Sequence, residues 1–403
     1  MERSGKWIIG PESVRMVELG HPWIIADGYT KRWPTGQAGQ VVELVDEKGR
    51  FLASALLDPQ ERIVARVLSR ERMRLDQAWL ATRIQAAIDL RRYHAGLGTD
   101  TAAFRLVNGE GDGLPGLTVD SYGDYLMVQI YCNGWRTHLK LLTGVLQELL
   151  KPAGIYEKTR PQKTRELEAV SDNKHYGTLL AGTPAPAMLE VLENGLTFRV
   201  SLEQGLNTGL FLDQRRNRRD LMTRCEGKRM LNLFSYTGAF SVAAAAAGAS
   251  HVTSVDASPG YTEWAKANFG VNRLNPKRHE FIVGDCLEVL VDLTRQKKHY
   301  DIILMDPPSF STTTKSRFTT RGGTSDLVAA SLPLLSTGGL LIASSNHQKV
   351  DLADYLKELR RGALQAGSDL RVISLFGQPE DFPYPVTFPD GRYLKYAICV
   401  KSA

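Results

Sequence analysis

Residues 228–240, KRMLNLFSYTGAF, decide how the rest of the chain is read. Met230, Leu231, Leu233 and Phe234 form a short apolar run of the kind that becomes a buried central strand. Ser235, Tyr236, Thr237 and Gly238 break the run, and small helix-favouring residues follow as far as Gly248. Strand, tight turn and helix in that order open a doubly wound α/β sheet, which binds ligands at the carboxyl ends of its strands beside the first turn. The next strand-like run, HVTSVD, ends on Asp256, 18 residues past Gly238. An acid about 20 residues beyond such a turn suits the two hydroxyls of a ribose. Of a G-x-G-x-x-G fingerprint only Gly238 is present, and Phe234 and Tyr236 stand where a pyrophosphate needs bare backbone. The turn therefore argues against a dinucleotide and for a nucleoside ligand without phosphates. The bland alternative is that Asp256 only caps the following helix.

Further along, HEFIVGDC places Asp285 and Cys286 behind an apolar run, and HYDIILMDPPSF places Asp306, Pro307 and Pro308 behind another. The polar stretch 312–325, with Lys315, Arg317 and Arg321, leaves a strand end where a substrate must enter and is read as a substrate-facing loop. A helix over 326–336 and the strand LLIASSN, ending on Ser344, Ser345 and Asn346, come next, and YLKYAICVK closes the sheet. Glycine turn, Asp256, Asp285 and Asp-Pro-Pro, in that order and at unit-length spacing, resemble the class I S-adenosylmethionine methyltransferases. The resemblance implies S-adenosyl-L-methionine as cofactor. It assigns to that cofactor the turn residues Phe234, Ser235, Tyr236, Thr237 and Gly238, then Asp256, Ala257 and Ser258 at the ribose, Asp285 and Cys286 at the adenine, and Asp306. It also implies that Asp306, Pro307 and Asn346 carry catalysis, with Asp-Pro-Pro between the methyl donor and a target base.

Ahead of the organising stretch, MLEVLENGLTFRV (188–200) reads as a hairpin with Asn194-Gly195 at its tip. NTGLFLDQRRNRRDLM leads into a helix carrying Arg215, Arg216, Arg218 and Arg219. RNA phosphate is one partner for so dense a cluster, and local acids such as Asp213 and Asp220 are the other. Residues 159–187 read as loop and linker, with Lys163, Arg165 and Lys174 near RNA. Over 104–158, strands flank a glycine-rich turn at 108–116, where Glu110 and Asp112 favour a scaffold over a phosphate site. Residues 71–100 predict a helix with Arg70, Arg72, Arg74, Arg83, Arg91 and Arg92 along its polar side. The first 70 residues hold short β signals, a turn over 46–49 and the run Gly20-His21-Pro22-Trp23. They predict a small β barrel, in which His21 and Trp23 pack a corner, while Lys31, Arg32 and Trp33 either mix charge with an aromatic as RNA binders do or form a solvated loop. The division expected is a barrel over 1–70, a middle α+β domain and linker over 71–187, and a Rossmann-like α/β domain over 188–403.

At 403 residues the chain is too long for one ordinary domain, and 43% hydrophobic with 23% charged residues is a globular composition. A net charge of +6 leans toward a polyanionic partner. Cys132, Cys225, Cys286 and Cys399 are scattered, with no C-x-x-C, so neither a metal site nor a disulfide framework is indicated. No apolar run reaches membrane-spanning length and no signal peptide is evident, so a cytoplasmic protein without membrane contact is expected.

GHPW, RLVNGEGDGLPGLTVD, TGLFLDQR, LNLFSYTGAF, VDAS, GDCL and DPPSF together cover most of the chain and resemble one family. These are 23S rRNA methyltransferases with an N-terminal PUA domain, an RNA-binding β barrel. The resemblance implies 23S ribosomal RNA as partner and leaves the oligomeric state open, a homodimer included. Its best-known members make 5-methylcytosine through a cysteine at the strand end where this chain has Ser344, Ser345 and Asn346, and no cysteine lies between Cys286 and Cys399. NTGLFLDQR, LFSYTG, VDASPGYTEWAKAN, DPPSFS and SSN instead resemble a guanine-N7 methyltransferase group that has no catalytic cysteine. The expectation is direct transfer to a base such as guanine N7. The alternatives are 5-methylcytosine formation and a non-catalytic RNA-binding role in ribosome assembly.

Overall fold

Short runs of branched and small apolar residues near the start of the chain form five strands: β1 (Lys6–Ile8), β2 (Trp23–Ile25), β3 (Val41–Val45), β4 (Phe51–Leu57) and β5 (Ile63–Ser69). The structure is a computed structural model that describes residues 5–25, 36–159, 175–308, 310–312 and 317–402. The strands pair in the order β1-β3-β4-β5-β2 around Trp7, Ile9, Leu44, Ala53, Ala55 and Ala65. Asp46 organises the β3–β4 turn by accepting from the Lys48 and Arg50 main-chain N–H groups. The run at Lys31, Arg32 and Trp33, and the linker residues Lys163, Arg165 and Lys174, lie outside the described residues.

A second sheet follows, made of β6 (Ala103–Asn108), β7 (Leu117–Tyr122), β8 (Tyr125–Ile130), β9 (Gly154–Lys158) and β10 (Gly177–Gly182) in the order β10-β9-β8-β7-β6. Only the β8–β9 pair is parallel, and the helix Leu139–Leu150 makes the crossover that a parallel pair requires. That helix and Gln77–His94 pack on the sheet through Leu80, Ile84, Leu142 and Leu146. Arg91 does not lie on a solvated face as the sequence suggested. It is buried, its guanidinium 2.5 and 2.8 Å from the two Asp112 oxygens. Glu110 of the same glycine-rich turn accepts from the Trp23 indole at 2.8 Å. Both acids of the turn are thus engaged inside the fold.

These two sheets form one compact unit spanning Met1–Val191 and Ser201–Thr208, together with Glu380–Gly391 from far along the chain. Within that unit, buried Asp381 accepts from the Arg105 main-chain N–H at 2.8 Å, and its carbonyl accepts from Arg91. The Phe388 ring packs 4.6 Å from Trp23 and 5.3 Å from His21, so the aromatic pair read from the sequence is a packing site. The three-part division of the sequence we retain as a proposal.

The second unit comprises Leu192–Val200, Gly209–Pro379 and Arg392–Ala403. It is entered through the hairpin of β11 (Leu189–Glu193) and β12 (Leu196–Val200), whose tip residues Asn194 and Gly195 both have positive φ, 52° and 76°. That is the conformation a two-residue hairpin turn demands. Its sheet contains β13 (Arg229–Leu233), β14 (His251–Asp256), β15 (Glu280–Val283) and β16 (Tyr300–Met305). A small backbone hairpin, β17 (Phe310–Thr312) with β18 (Arg317–Thr319), precedes the remaining strands β19 (Leu335–Ser345), β20 (Leu370–Phe376) and β21 (Lys395–Lys401). The seven-stranded order is β15-β14-β13-β16-β19-β21-β20, parallel except for β21. Along the central strands, Leu231, Leu233, Ile303 and Met305 face one core, while Met230, Ile302 and Leu304 face the other. Burial on both faces is why these runs are continuously apolar rather than alternating. The strand order reverses between β13 and β16, which opens a crevice at their carboxyl ends. Two readings change here. The helix expected over 326–336 runs from Thr320 to Ser331, and the 312–325 loop contains β18 and the start of that helix. No described helix is long and apolar enough to cross a membrane.

Candidate active site

The turn after β13 is built from three left-handed residues, Phe234 (φ 58°), Tyr236 (φ 51°) and Gly238 (φ 76°). For bulky L residues that conformation costs about 1–3 kcal/mol each and persists only where the surroundings fix it. Four hydrogen bonds do so. Ser235 N–H donates to Val255 O at 2.9 Å, and Tyr236 N–H to the Asp256 carboxylate at 2.8 Å. The Thr237 hydroxyl donates to Gly209 O at 2.6 Å, and the Asn268 amide to Thr237 O at 2.9 Å. At Gly238 glycine is needed on a second count, since a Cβ there would stand 2.7 Å from the Ala265 Cβ. The turn thus reaches glycine-like backbone geometry with large side chains at two positions. Tyr236 stands 4.4 Å from the Tyr261 ring and 5.3 Å from that of Phe211, centroid to centroid, so the side chains make an aromatic wall.

Asp256 ends β14 half-buried, its oxygens accepting from Tyr236 N–H and, at 2.9 Å, from Ser258 N–H. It does not cap the next helix: Ser258 caps Pro259–Val271 through the Tyr261 N–H. Ala257 is exposed between them. A half-buried carboxylate at the end of this strand fits the hydroxyls of a ribose. Asp285, by contrast, does cap its helix, Cys286–Arg295, accepting from Leu287 N–H at 2.9 Å and Glu288 N–H at 3.4 Å. Cys286 is buried beside it.

Across the crevice, Asp306 follows β16. The Gln214 amide nitrogen donates to its Oδ2 at 3.0 Å and to the Ser344 hydroxyl at 2.9 Å. Burial, with the Asp213 charge nearby, pushes the Asp306 carboxyl up to about 6, against the Ser344 and Gln214 hydrogen bonds and the Arg218 charge. Pro307 is buried and Pro308 exposed. At the end of β19, Ser344 and Ser345 are buried and Asn346 is exposed. Tyr355 OH donates to Ser344 O at 2.9 Å. The loop beyond is tied by the Lys395 ammonium, which donates to the carbonyls of His347, Val350 and Tyr393 at 2.7, 2.9 and 2.8 Å. Burial pulls that amine down to about 8.

The helix Arg215–Met222 divides its arginines, and the buried ones take structural partners rather than facing phosphate. Arg218 is 2% exposed and donates to both Glu193 oxygens at 2.6 and 2.7 Å, and to Phe211 O at 2.7 Å. Arg215 is also buried, and its carbonyl accepts from the Asn194 amide. Arg216 and Arg219 are exposed. Of the other basic positions, Lys315 lies outside the described residues, while the backbone puts Arg317 on β18 and Arg321 in the first turn of its helix.

All four cysteines are buried and unbridged. Desolvation pushes the thiols of Cys132 and Cys399 up to about 11 and that of Cys225 up to about 12, and raises Cys286 as well. Sequence reasoning missed Gln214, Asn217, Tyr355 and Lys395. Gln214 sat inside the quoted TGLFLDQR, but nothing in its spacing marked it.

Residues 105–389 match the family model described as S-adenosylmethionine-dependent methyltransferase, and residues 8–70 match a PUA-like domain. The chain is 33% identical over 383 residues to the ribosomal RNA large subunit methyltransferase I of Yersinia pseudotuberculosis, covering 94% of this chain and 95% of that one. Among solved structures, a candidate methyltransferase complexed with SAH superposes with a TM-score of 0.88 at 30% identity, covering 98% of this chain and 100% of the other. A candidate SAM-dependent methyltransferase from Streptococcus mutans does so with a TM-score of 0.85, also at 30% identity and with the same coverage.

Proposed function

Because the chain belongs to the S-adenosylmethionine-dependent methyltransferase family, we propose that it methylates a base of 23S ribosomal RNA by direct transfer, with guanine N7 as acceptor and no covalent bond between enzyme and RNA. The name borne by its Yersinia relative supports the substrate class. When bound, S-adenosylmethionine supplies a methyl carbon made electrophilic by the adjacent sulfonium. Asp256 holds the ribose, the left-handed turn offers its main chain, and the aromatic wall of Phe211, Tyr236 and Tyr261 shields the site from water. Asp306 anchors the base.

The observation that carries the direct-transfer reading is the end of β19. Addition to a cytosine ring needs a thiolate, and serine hydroxyls ionise too weakly to replace one. The strand offers Ser344 and Ser345, and every thiol in the chain is buried and held protonated. Guanine N7 needs no activation, because it already carries an in-plane lone pair. Its N1–H and exocyclic N–H groups lie on the opposite edge and suit a carboxylate acceptor such as Asp306, which leaves N7 open for in-line attack. Catalysis then rests on positioning and desolvation. Arg216 and Arg219, with Lys315, Arg317 and Arg321, make the RNA contacts, and the PUA-like barrel adds a second RNA surface.

The test is to incubate the enzyme with labelled cofactor and unmodified 23S rRNA, then digest the RNA to nucleosides for mass spectrometry. Label in 7-methylguanosine is the expected result. Label in another nucleoside would reject the acceptor, and RNA without label would reject the substrate.

A further inference from the structure

We propose that Gln214 is a positioning residue for methyl transfer, an amide clamp that orients the Asp306 carboxylate by tying it to the end of the neighbouring strand. The inference rests on the reading that Asp306 faces the target base.

Gln214 comes from the segment ahead of β13, yet its side chain crosses to the ends of β16 and β19, which are neighbours in the sheet. One amide nitrogen spends its two hydrogens on Asp306 Oδ2 and on the Ser344 hydroxyl, at 3.0 and 2.9 Å. The amide cannot turn over without loss, because its oxygen accepts from Asn217 Nδ2 at 2.6 Å. The segment is itself anchored, since buried Arg218 donates to the Phe211 carbonyl. A helix-capping role would be the ordinary explanation for a polar residue at this place, but the Gln214 side chain makes no capping bond to Arg215–Met222. Only 3% of Gln214 is exposed, so the clamp is fixed in the interior.

The choice of a neutral donor has a chemical consequence. A lysine or arginine at this point would neutralise the carboxylate. An amide fixes Oδ2 and leaves the full negative charge for the N–H edge of a base. The groups around Asp306 are Asp213, which opposes its ionisation, Arg218, which favours it, the Ser344 hydroxyl, and the buried phenols Tyr355 and Tyr396. A substitution at Gln214 alters the charge of none of them.

The experiment measures total methyl incorporation into 23S rRNA as a function of pH for Gln214→Ala, Gln214→Glu and Asp306→Ala, so the readout does not depend on which base is modified. Gln214→Ala should lower kcat roughly 10- to 100-fold by misplacing the carboxylate. Its cofactor affinity by calorimetry should be unchanged. Its acid limb should also move to higher pH, because the charged form of Asp306 loses a donor. Isosteric Gln214→Glu should move that limb further, since a second carboxylate then faces the first. An unchanged kcat overturns the proposal. So does a loss of kcat whose acid limb stays fixed, or one matched by falling thermal stability and cofactor affinity, because packing alone would produce either. Activity retained in Asp306→Ala would instead defeat the reading of Asp306. An inactive Asp306→Ala beside normal Gln214 variants would defeat only the clamp.

Discussion

Beside Gln214 and Ser344, the Asp306 carboxyl is pushed up to about 6 by burial, from an ordinary 3.8. A raised folded-state value means that the folded protein binds this proton more tightly than the unfolded chain does. The associated stability is fully present below about pH 4 and is lost as pH rises through about 6, so above that range the charge costs at most roughly 3 kcal/mol. Asp306→Asn keeps an oxygen for the Gln214 amide and removes the charge. Denaturant unfolding should show it about 1–3 kcal/mol more stable than the parent at about pH 8 and no more stable at about pH 4, while methyl transfer is lost. A destabilised variant at the higher pH would contradict this. Asp256 calls for a different measurement: Asp256→Ala should lose cofactor affinity at least 10-fold by calorimetry, because the ribose hydroxyls lose a charged acceptor. Unchanged binding would remove Asp256 from the site. Asp256 and Asp285 were both legible as strand-end acids, but their spacing alone did not say which of them caps a helix. The distinction lies in which N–H groups each accepts, and only Asp285 spends itself on a helix cap. Phe234 and Tyr236 were similarly opaque. The sequence marks them as departures from a glycine fingerprint, whereas the hydrogen bonds around the turn hold them in the glycine conformation.

At the scale of elements, the helix Arg215–Met222 presents two kinds of arginine. Charge reversal at the exposed pair, Arg216→Glu with Arg219→Glu, should weaken RNA binding and flatten its salt dependence by about two counterions. Arg218→Ala should act in the opposite sense, costing roughly 3–5 kcal/mol of stability because Glu193 is left buried without its partner. An unchanged salt slope in the double variant, or an unchanged stability in Arg218→Ala, would reverse the assignment. The division follows helical spacing, since Gln214, Asn217, Arg218 and Leu221 recur at three- and four-residue intervals and form the buried side. Residue type concealed it, because a buried arginine announces itself only through an acid that is distant in sequence. Strands were easier to see. The continuous apolar runs of β13 and β16 have one explanation, cover on both faces, and they set the topology. Strand β20 was not anticipated, as no motif marks it and it lies at the sheet edge with Val372, Ile373 and Leu375 exposed.

Over the whole molecule, what the sequence hid is long-range. Glu380–Gly391 belongs to the first compact unit although its neighbours in the chain belong to the second. The bonds that hold it, from Arg91, Arg105 and Asn108, join residues more than 270 positions apart. Neither composition nor local periodicity records such a pairing. The N-terminal sheet, the middle sheet and the doubly wound sheet were legible because each rests on local patterns of strands and turns. The proposed methyl transfer needs no thiolate, and the measurement that tests this most directly is mechanism-based trapping. The enzyme is incubated with S-adenosylmethionine and 23S rRNA transcribed with 5-fluorocytosine, then run on a denaturing gel. The expected result is no adduct, with methyl transfer largely retained in a folded variant in which Cys132, Cys225, Cys286 and Cys399 are all replaced by serine or alanine. A stable enzyme–RNA adduct would contradict direct transfer and require a nucleophile that none of the buried cysteines provides.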